Sequence, residues 1–260
     1  MQFIVTVIFS GSTLFTLGVK NFKKWRLLRK KLLLILETPT SKISDLLQEN
    51  FKDDQMVALR GAIYSENPLI SPYTKSKCVY FHYEELEKIE QIEYKTTDRG
   101  KSKVKKIKYN TLTDSINHKN FYIDDYTGRI EIRPDKFQIE GKIAIDRELK
   151  RPGITYNFWE TFLKPCGDKI VADITRETIL PIGQQVFIVG QFYRDRKNNR
   201  YIYCQPRIKK TAIITVQNEE DTIKSLTWKS YFTLLWSIFL ITTAIIIFLL
   251  WLANFVTKTF

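Results

Sequence analysis

Apolar positions gather into two uncharged runs, one at each end of the chain, and alternate in short bursts between them. Residues 1–19 carry no charge and include Phe3, Ile4, Val5, Val7, Ile8, Phe9, Leu14, Phe15, Leu17 and Val19. As a helix this run reaches roughly 28 Å at about 1.5 Å per residue, just enough for a hydrocarbon core of about 30 Å. Residues 231–257 are stronger, because Leu and Ile fill every face of the helix and Trp228, Trp236 and Trp251 fall near its ends, as interfacial aromatics do. A soluble helix this apolar would need a protein shell that the remaining residues could hardly supply. The first run lacks the basic start and the small-x-small cleavage site of a signal peptide, so an uncleaved anchor is expected there. The pattern predicts transmembrane helices over 1–19 and 231–252, a linker over 217–230 and a short tail over 253–260.

Just beyond the first run, Lys20, Lys23, Lys24, Arg26, Arg29, Lys30 and Lys31 alternate with leucines, which predicts a basic juxtamembrane helix over 20–36. Nothing but the α-amino group precedes the run, so the positive-inside rule places the segment between the spans in the cytoplasm if the membrane is a bacterial plasma membrane.

The period then changes. Thr38-Pro39-Thr40-Ser41 interrupts the chain, and 43–48 is long enough for one or two helical turns capped by Thr40 or Ser41. From Met56 the alternation is strand-like: Val57, Leu59 and Ile63 around Gly61, then Cys78-Val79-Tyr80-Phe81. Phe121-Tyr122-Ile123 and Ile130-Glu131-Ile132 flank Asp124-Asp125-Tyr126-Thr127-Gly128, a hairpin with Gly128 at the expected positive-φ position. Residues 186–193 and 200–204 form a second hairpin, and the charged stretches 84–90 and 99–108 are expected to extend two strands into a protruding one. The fold class is mainly β, a small antiparallel OB-like barrel or sandwich over 37–216 between two transmembrane helices.

Charge sharpens this picture. The 260 residues hold 41 Lys plus Arg against 28 Asp plus Glu, a net charge of +13, and 20 of the 41 lie in three short windows. These are the juxtamembrane helix, the 99–108 stretch with Lys101, Lys103, Lys105 and Lys106, and 194–210 with Arg196 and Lys197. The named cations of all three windows are candidate contacts for lipid headgroups or another polyanion, an attraction of about 1 kcal/mol per cation at an anionic surface; the alternatives are a solvated loop over 99–108 and a dimer or domain contact on the leucine side of the juxtamembrane helix.

Catalytic chemistry is not visible. Cys78, Cys166 and Cys204 are widely spaced and make neither a zinc site nor a disulfide framework. Cys166 has neighbouring lysines but no base to serve it. His82 alternates with strand residues and His118 lies in a polar stretch, each without visible ligand company, and the two adjacent aspartates are explained by turn hydrogen bonds to their own backbone. No catalytic residue, metal or cofactor is expected.

Several motifs, taken in order, resemble the GIDE (beside-a-membrane) domain that lies between the two spans of MULAN-type membrane E3 ubiquitin ligases. They are Glu37-Thr38-Pro39-Thr40-Ser41-Lys42-Ile43, Gly61 with Ser71-Pro72, Cys78-Val79-Tyr80-Phe81, the Asp124-Asp125 hairpin through Gly128 and Arg129, and Arg176-Glu177 leading to Gly183 and Gly190. The resemblance covers about 37–216. In those ligases a RING follows the second span; here only residues 253–260 follow Leu252, without Cys or His, so ligase chemistry is not carried over and a RING-less member is expected. The resemblance implies a membrane-flanked interaction, scaffolding or ligand-sensing module with a lipid surface and a protein as partners. The alternatives are a recognition component whose RING is supplied elsewhere, and OB-like nucleic-acid binding, which the flanking spans disfavour.

Overall fold

The computed structural model describes residues 2–47, 55–97, 100–135, 137–151, 168–195, 200–204 and 212–259. Cys166, Arg196 and Lys197 lie outside them, as do Arg207, Lys209, Lys210 and the aromatic stretch 156–167. The chain divides into a helical unit, Met1–Thr40 with Gln217–Phe260, and a β-rich unit, Ser41–Val216.

In the helical unit, α1 runs unbroken over Gln2–Glu37, so the apolar run and the basic juxtamembrane stretch are one helix of 36 residues. The last helix, numbered α3 because a short α2 (Ile43–Leu46) precedes it, spans Glu219–Thr259. The expected linker 217–230 is therefore mostly the opening of α3. No Pro or Gly breaks it, Glu219, Glu220 and Asp221 suit the positive end of the helix dipole, and both the amide and the hydroxyl of Thr222 donate to the Asn218 carbonyl. Among the described residues, one stretch, Glu219–Ala253, is long and apolar enough to cross a membrane, and only 17% of its apolar window is buried. The expected second span, 1–19, is the first half of α1. The two helices run antiparallel, Gly18 facing Ile241 and Gly11 facing Ile247. At Gly18 they approach so closely that a Cβ would lie 2.6 Å from the Ile241 side chain, and Ser237 Oγ donates to the Gly18 carbonyl at 2.8 Å.

The β-rich unit holds twelve described strands: β1 (Met56–Tyr64), β2 (Leu69–Ile70), β3 (Lys77–Thr97), β4 (Gly100–His118), β5 (Phe121–Asp124), β6 (Arg129–Ile132), β7 (Gln138–Glu140), β8 (Lys142–Lys150), β9 (Asp168–Pro181), β10 (Gln185–Asp195), β11 (Arg200–Cys204) and β12 (Ile213–Thr215). Five close a barrel in the order β1-β5-β6-β11-β10 and back to β1. Closure is made by β6 lying parallel to β11, and β12 lies parallel to β7 outside the ring. The barrel is thus the expected OB-like Greek key, but not a purely antiparallel one. Consecutive hairpins alone cannot bring the third barrel strand beside the fifth; the long excursion between β6 and β10 reverses the direction. Inside, Val57, Ile123, Ile132, Ile188, Phe192 and Tyr203 are fully buried, and Ile43 and Leu46 of α2 join the same core.

Two excursions from the barrel meet to form a second sheet. The hairpin β3-β4 is inserted between β1 and β5, and β8-β9 between β6 and β10, giving the antiparallel order β4-β3-β9-β8 with β2 beside the start of β3. The β3 strand has 21 residues, and among the described residues its pairing with β9 reaches Gln91. Its pairing with β4 continues to Thr97 and Gly100, so the two charged stretches form one long hairpin, as the charge pattern predicts. His118, expected in a loop, closes β4 instead.

Candidate functional site

The motif residues converge at three places in the β-rich unit, and each is built around one polar side chain turned inward. The first is Glu177 on β9, directly paired with Tyr83 and fully buried. Above it the turn Ser71-Pro72-Tyr73-Thr74-Lys75-Ser76 is closed on itself: Ser71 N donates to the Ser76 carbonyl at 3.0 Å, and Ser76 N donates to Ser71 Oγ at 3.1 Å. Lys75 adopts φ 55, which aims the turn back over the sheet. Glu177 Oε1 accepts from Tyr73 N at 2.8 Å, and Oε2 accepts from Thr74 N at 3.0 Å, Ser71 Oγ at 3.3 Å and the Thr74 hydroxyl.

Burial by itself would raise the Glu177 carboxyl, but these donors outweigh it and hold it below the usual glutamate value. Four donors from one turn converge on the carboxylate, one on Oε1 and three on Oε2. Glu177 is therefore a fastener that holds the turn to the sheet. The neighbouring Cys78 thiol is pushed up to about 11 by its burial and then by the Glu177 charge, so it packs as a small apolar group rather than a thiolate. Tyr80 is pushed up by burial as well.

The second place is the β5–β6 turn. Asp125 Oδ1 accepts from Thr127 N at 2.9 Å, Thr127 Oγ1 at 2.7 Å and Gly128 N at 3.2 Å, the local turn bonds expected of it. Its other oxygen, Oδ2, accepts from Ile43 N at 2.8 Å, and Thr127 Oγ1 accepts from Ser44 N at 3.0 Å. The cap of α2 therefore comes from a turn 82 residues away and not from Thr40 or Ser41. Ser41 instead donates its amide to the Ala58 carbonyl of β1, fixing the chain that enters α2 after Pro39. Gly128 is likewise not the positive-φ residue of this turn; exposed Tyr126 takes that role at φ 69. Gly128 is needed for approach, since a Cβ would stand 3.1 Å from the Ile43 side chain. Asp125→Ala is expected to lower stability by about 1–2 kcal/mol, the cost of a lost helix cap, and to increase amide exchange at Ile43 and Ser44 before the rest of the unit.

The third place is the barrel interior. Tyr203 crosses it fully buried and donates its hydroxyl to the Val57 carbonyl, with the Ile188 carbonyl 3.4 Å away. Gly190 on β10 leaves room for the ring. Gly183 at φ 78 turns the chain from β9 into β10 and donates to the Ile63 carbonyl at 2.8 Å.

The expected polyanion contacts are distributed differently. Lys20, Lys23, Lys24, Arg26, Arg29 and Lys30 are exposed on α1, whose basic stretch contains no acid, while Lys31 is half-buried. Where α1 passes α3, Lys24 and Leu28 line a groove with Trp228, Lys229, Phe232 and Thr233. On the hairpin the cations are less available: Lys105 pairs with Glu90 at 2.7 Å, and Lys88 with Glu148 at 2.8 Å. Lys106 is also engaged, and the side chains of Lys101 and Lys103 lie outside the described residues.

The family model GIDE, described as E3 Ubiquitin ligase, matches residues 89–250. The chain belongs to the GIDE family. No curated protein and no solved structure matches it. The GIDE match begins within β3 and ends within α3, so it takes in β4 to β12 and most of the C-terminal apolar helix, and leaves out β1 and β2. Asp125, Gly128, Glu177, Gly183 and Gly190 fall inside it, whereas Pro39, Ser41, Pro72, Cys78 and Tyr80 precede it. These motif residues of the GIDE chain hold turns, caps and strands in place; they do not assemble into one acid, base and nucleophile constellation among the described residues.

Strand register also gives His82 company that its sequence neighbourhood does not show. Nε2 lies 3.1 Å from Asp114 Oδ1 on β4 and 3.4 Å from Glu84 Oε1. The only signal in the chain was the His-x-Glu spacing, which puts both side chains on one face of a strand.

Proposed function

We propose that this GIDE-family chain is a two-span membrane protein whose β-rich unit works as a non-catalytic interaction or ligand-sensing scaffold. The observation that carries the reading is the close antiparallel pairing of α1 with the apolar helix α3 through Gly18 and Ser237. Small residues that let backbones approach, joined by a hydroxyl-to-carbonyl bond, are how helices associate in lipid. The uncharged half of α1 is then a second span, and its seven cations follow it on one side. Lys24 and Lys229 beside Trp228 and Phe232 suit an anionic headgroup at that boundary. Because both ends of Ser41–Val216 join the helices, the unit is held near that surface by its own chain.

The test is made on the full chain in sealed native membranes, with single cysteines added at positions 2, 42 and 257 and the parent chain as background. An impermeant maleimide is expected to reach 2 and 257 from one side and 42 from the other. A photo-crosslinker at exposed Tyr109 is expected to give a discrete protein adduct. Labelling of 2 and 42 from the same side overturns the two-span reading, and the lack of any adduct counts against the scaffold. A second reading follows from the family description: the unit recognises a substrate for ubiquitin transfer whose chemistry another chain supplies. Adducts that contain conjugation components would favour it.

A further inference from the structure

We propose that His82, Glu84 and Asp114 form a binding site for a divalent transition-metal cation, zinc(II) in the first instance, that clamps the base of the β3-β4 hairpin. His82 and Glu84 are two apart on β3 and share a face, and Asp114 pairs directly with Glu84 across β4. All three lie on the same side of the register shift at Glu85/Leu86, so their side chains stand together. Their ligand atoms are within 4.8 Å of one another. The separations from Nε2, 3.1 Å and 3.4 Å, bracket the edge of a tetrahedron whose metal–ligand bonds are about 2.0–2.1 Å, roughly 3.3 Å.

Charge supports the assignment. Like charges directly opposite each other on paired strands destabilise a sheet, and Glu84 and Asp114 are such a pair. Continuing across the sheet, Glu84 pairs with Arg176 on β9, and Arg176 pairs with Asp146 on β8. The row from β4 to β8 thus carries three carboxylates and one guanidinium, and the Arg176 Nε donates to Asp146 at 3.2 Å, away from the Glu84–Asp114 pair. A divalent cation between Glu84, Asp114 and the neutral His82 ring brings the row to neutrality. The flanking partners of His82, Ile116 on β4 and Thr178 on β9, add no charge. Imidazole with carboxylates is a donor set suited to zinc, and water completes the fourth position. All three groups are partly exposed, so a cation can enter.

The experiment uses the full chain in detergent micelles, freed of metal and titrated with zinc(II) by calorimetry and with cobalt(II) by visible absorption. One equivalent is expected per chain, with a cobalt band of nitrogen and oxygen coordination and no sulfur charge-transfer band. His82→Gln and Asp114→Asn should each weaken binding at least about 10–100-fold, the loss typical even of second-shell changes at metal sites, while His118→Gln leaves it unchanged. Zinc should also raise the melting temperature of the parent chain but not of His82→Gln. Equal affinity in His82→Gln, a thiolate signature, or no saturable binding below millimolar cobalt overturns the proposal. Without metal, Asp114→Asn relieves the like-charge pair with Glu84 and should melt no lower than the parent; a lower melting temperature together with unchanged zinc affinity would assign the cluster to the His82–Asp114 hydrogen bond alone and overturn the proposal.

Discussion

Glu177→Ala is expected to destabilise the β-rich unit by about 3–5 kcal/mol, because it leaves the Tyr73 and Thr74 amides and one of the two hydroxyls without their acceptor, the Ser71 and Thr74 hydroxyls being 2.8 Å apart and able to bond each other, and each buried orphan costs about 1–3 kcal/mol before the turn relaxes. The Ser71–Ser76 bonds within the turn and the Tyr73 ring stacked on Tyr83 remain in the variant, so the loss falls on the donors to the carboxylate. Its donors to Glu177 come from three residues of the one turn, Ser71, Tyr73 and Thr74, so they are lost together. Thermal denaturation of the full chain in micelles should show the drop, with exchange of the Tyr73 and Thr74 amides accelerated most. Glu177→Gln should recover part of it, since an amide oxygen still accepts but the amide nitrogen meets donors. Unchanged melting in Glu177→Ala would show that the turn is held without the carboxylate.

The same group fixes a pH dependence. Its folded pKa is lowered from the ordinary glutamate value of 4.5, so its contribution is present in full above that value and is lost as pH falls through the lower, folded value. Acid unfolding of the parent chain should therefore show a component below about pH 4.5 that is missing from Glu177→Gln. The Cys78 and Tyr83 groups, pushed up to about 11 and about 12, release no protons below pH 9 and do not enter that window.

Gly190→Val is the second large effect. A Cβ at this position would stand 2.6 Å from Tyr203 Cε1 and 3.1 Å from Cζ. The ring cannot swing away, because it is fully buried and its hydroxyl is bound to the carbonyl of Val57, the residue of β1 paired with Gly190. Overpacking of this kind costs about 1–3 kcal/mol, and more where the neighbour is pinned at both ends, so about 3 kcal/mol is expected, with Gly190→Ala somewhat less. Pairing Gly190→Ala with Tyr203→Leu should cost less than the sum of the two single changes. Strict additivity would show that the two residues do not meet in the folded barrel.

Much of this architecture was legible in the linear pattern. The two apolar runs, the hairpins around Asp124-Asp125 and after Gly190, and the charged ribbon of β3 and β4 all follow from local period and turn chemistry. Reading 217–230 as a linker failed because amphipathic polar residues without Pro or Gly continue a helix as readily as they form a loop. Local pattern points to Thr40 or Ser41 as the cap of α2, whereas Asp125 supplies it, because a side chain that already satisfies its own turn still has a second oxygen to offer elsewhere. The Glu177 and His82 clusters depend on partners about 100 and 32 residues away, so local patterning could not show them.

By itself, then, the sequence determined which segments are helical and apolar, which alternate as strands, and where the positive charge lies, since all of these depend on side chains within a few residues of each other. Tertiary structure alone decided that β6 and β11 close the barrel in parallel, that two separate insertions share one sheet, and that Glu177, Asp125 and the His82 cluster find their partners. Those outcomes depend on strand register, and register is set by the packing of the whole core around Tyr203 rather than by any local run of residues.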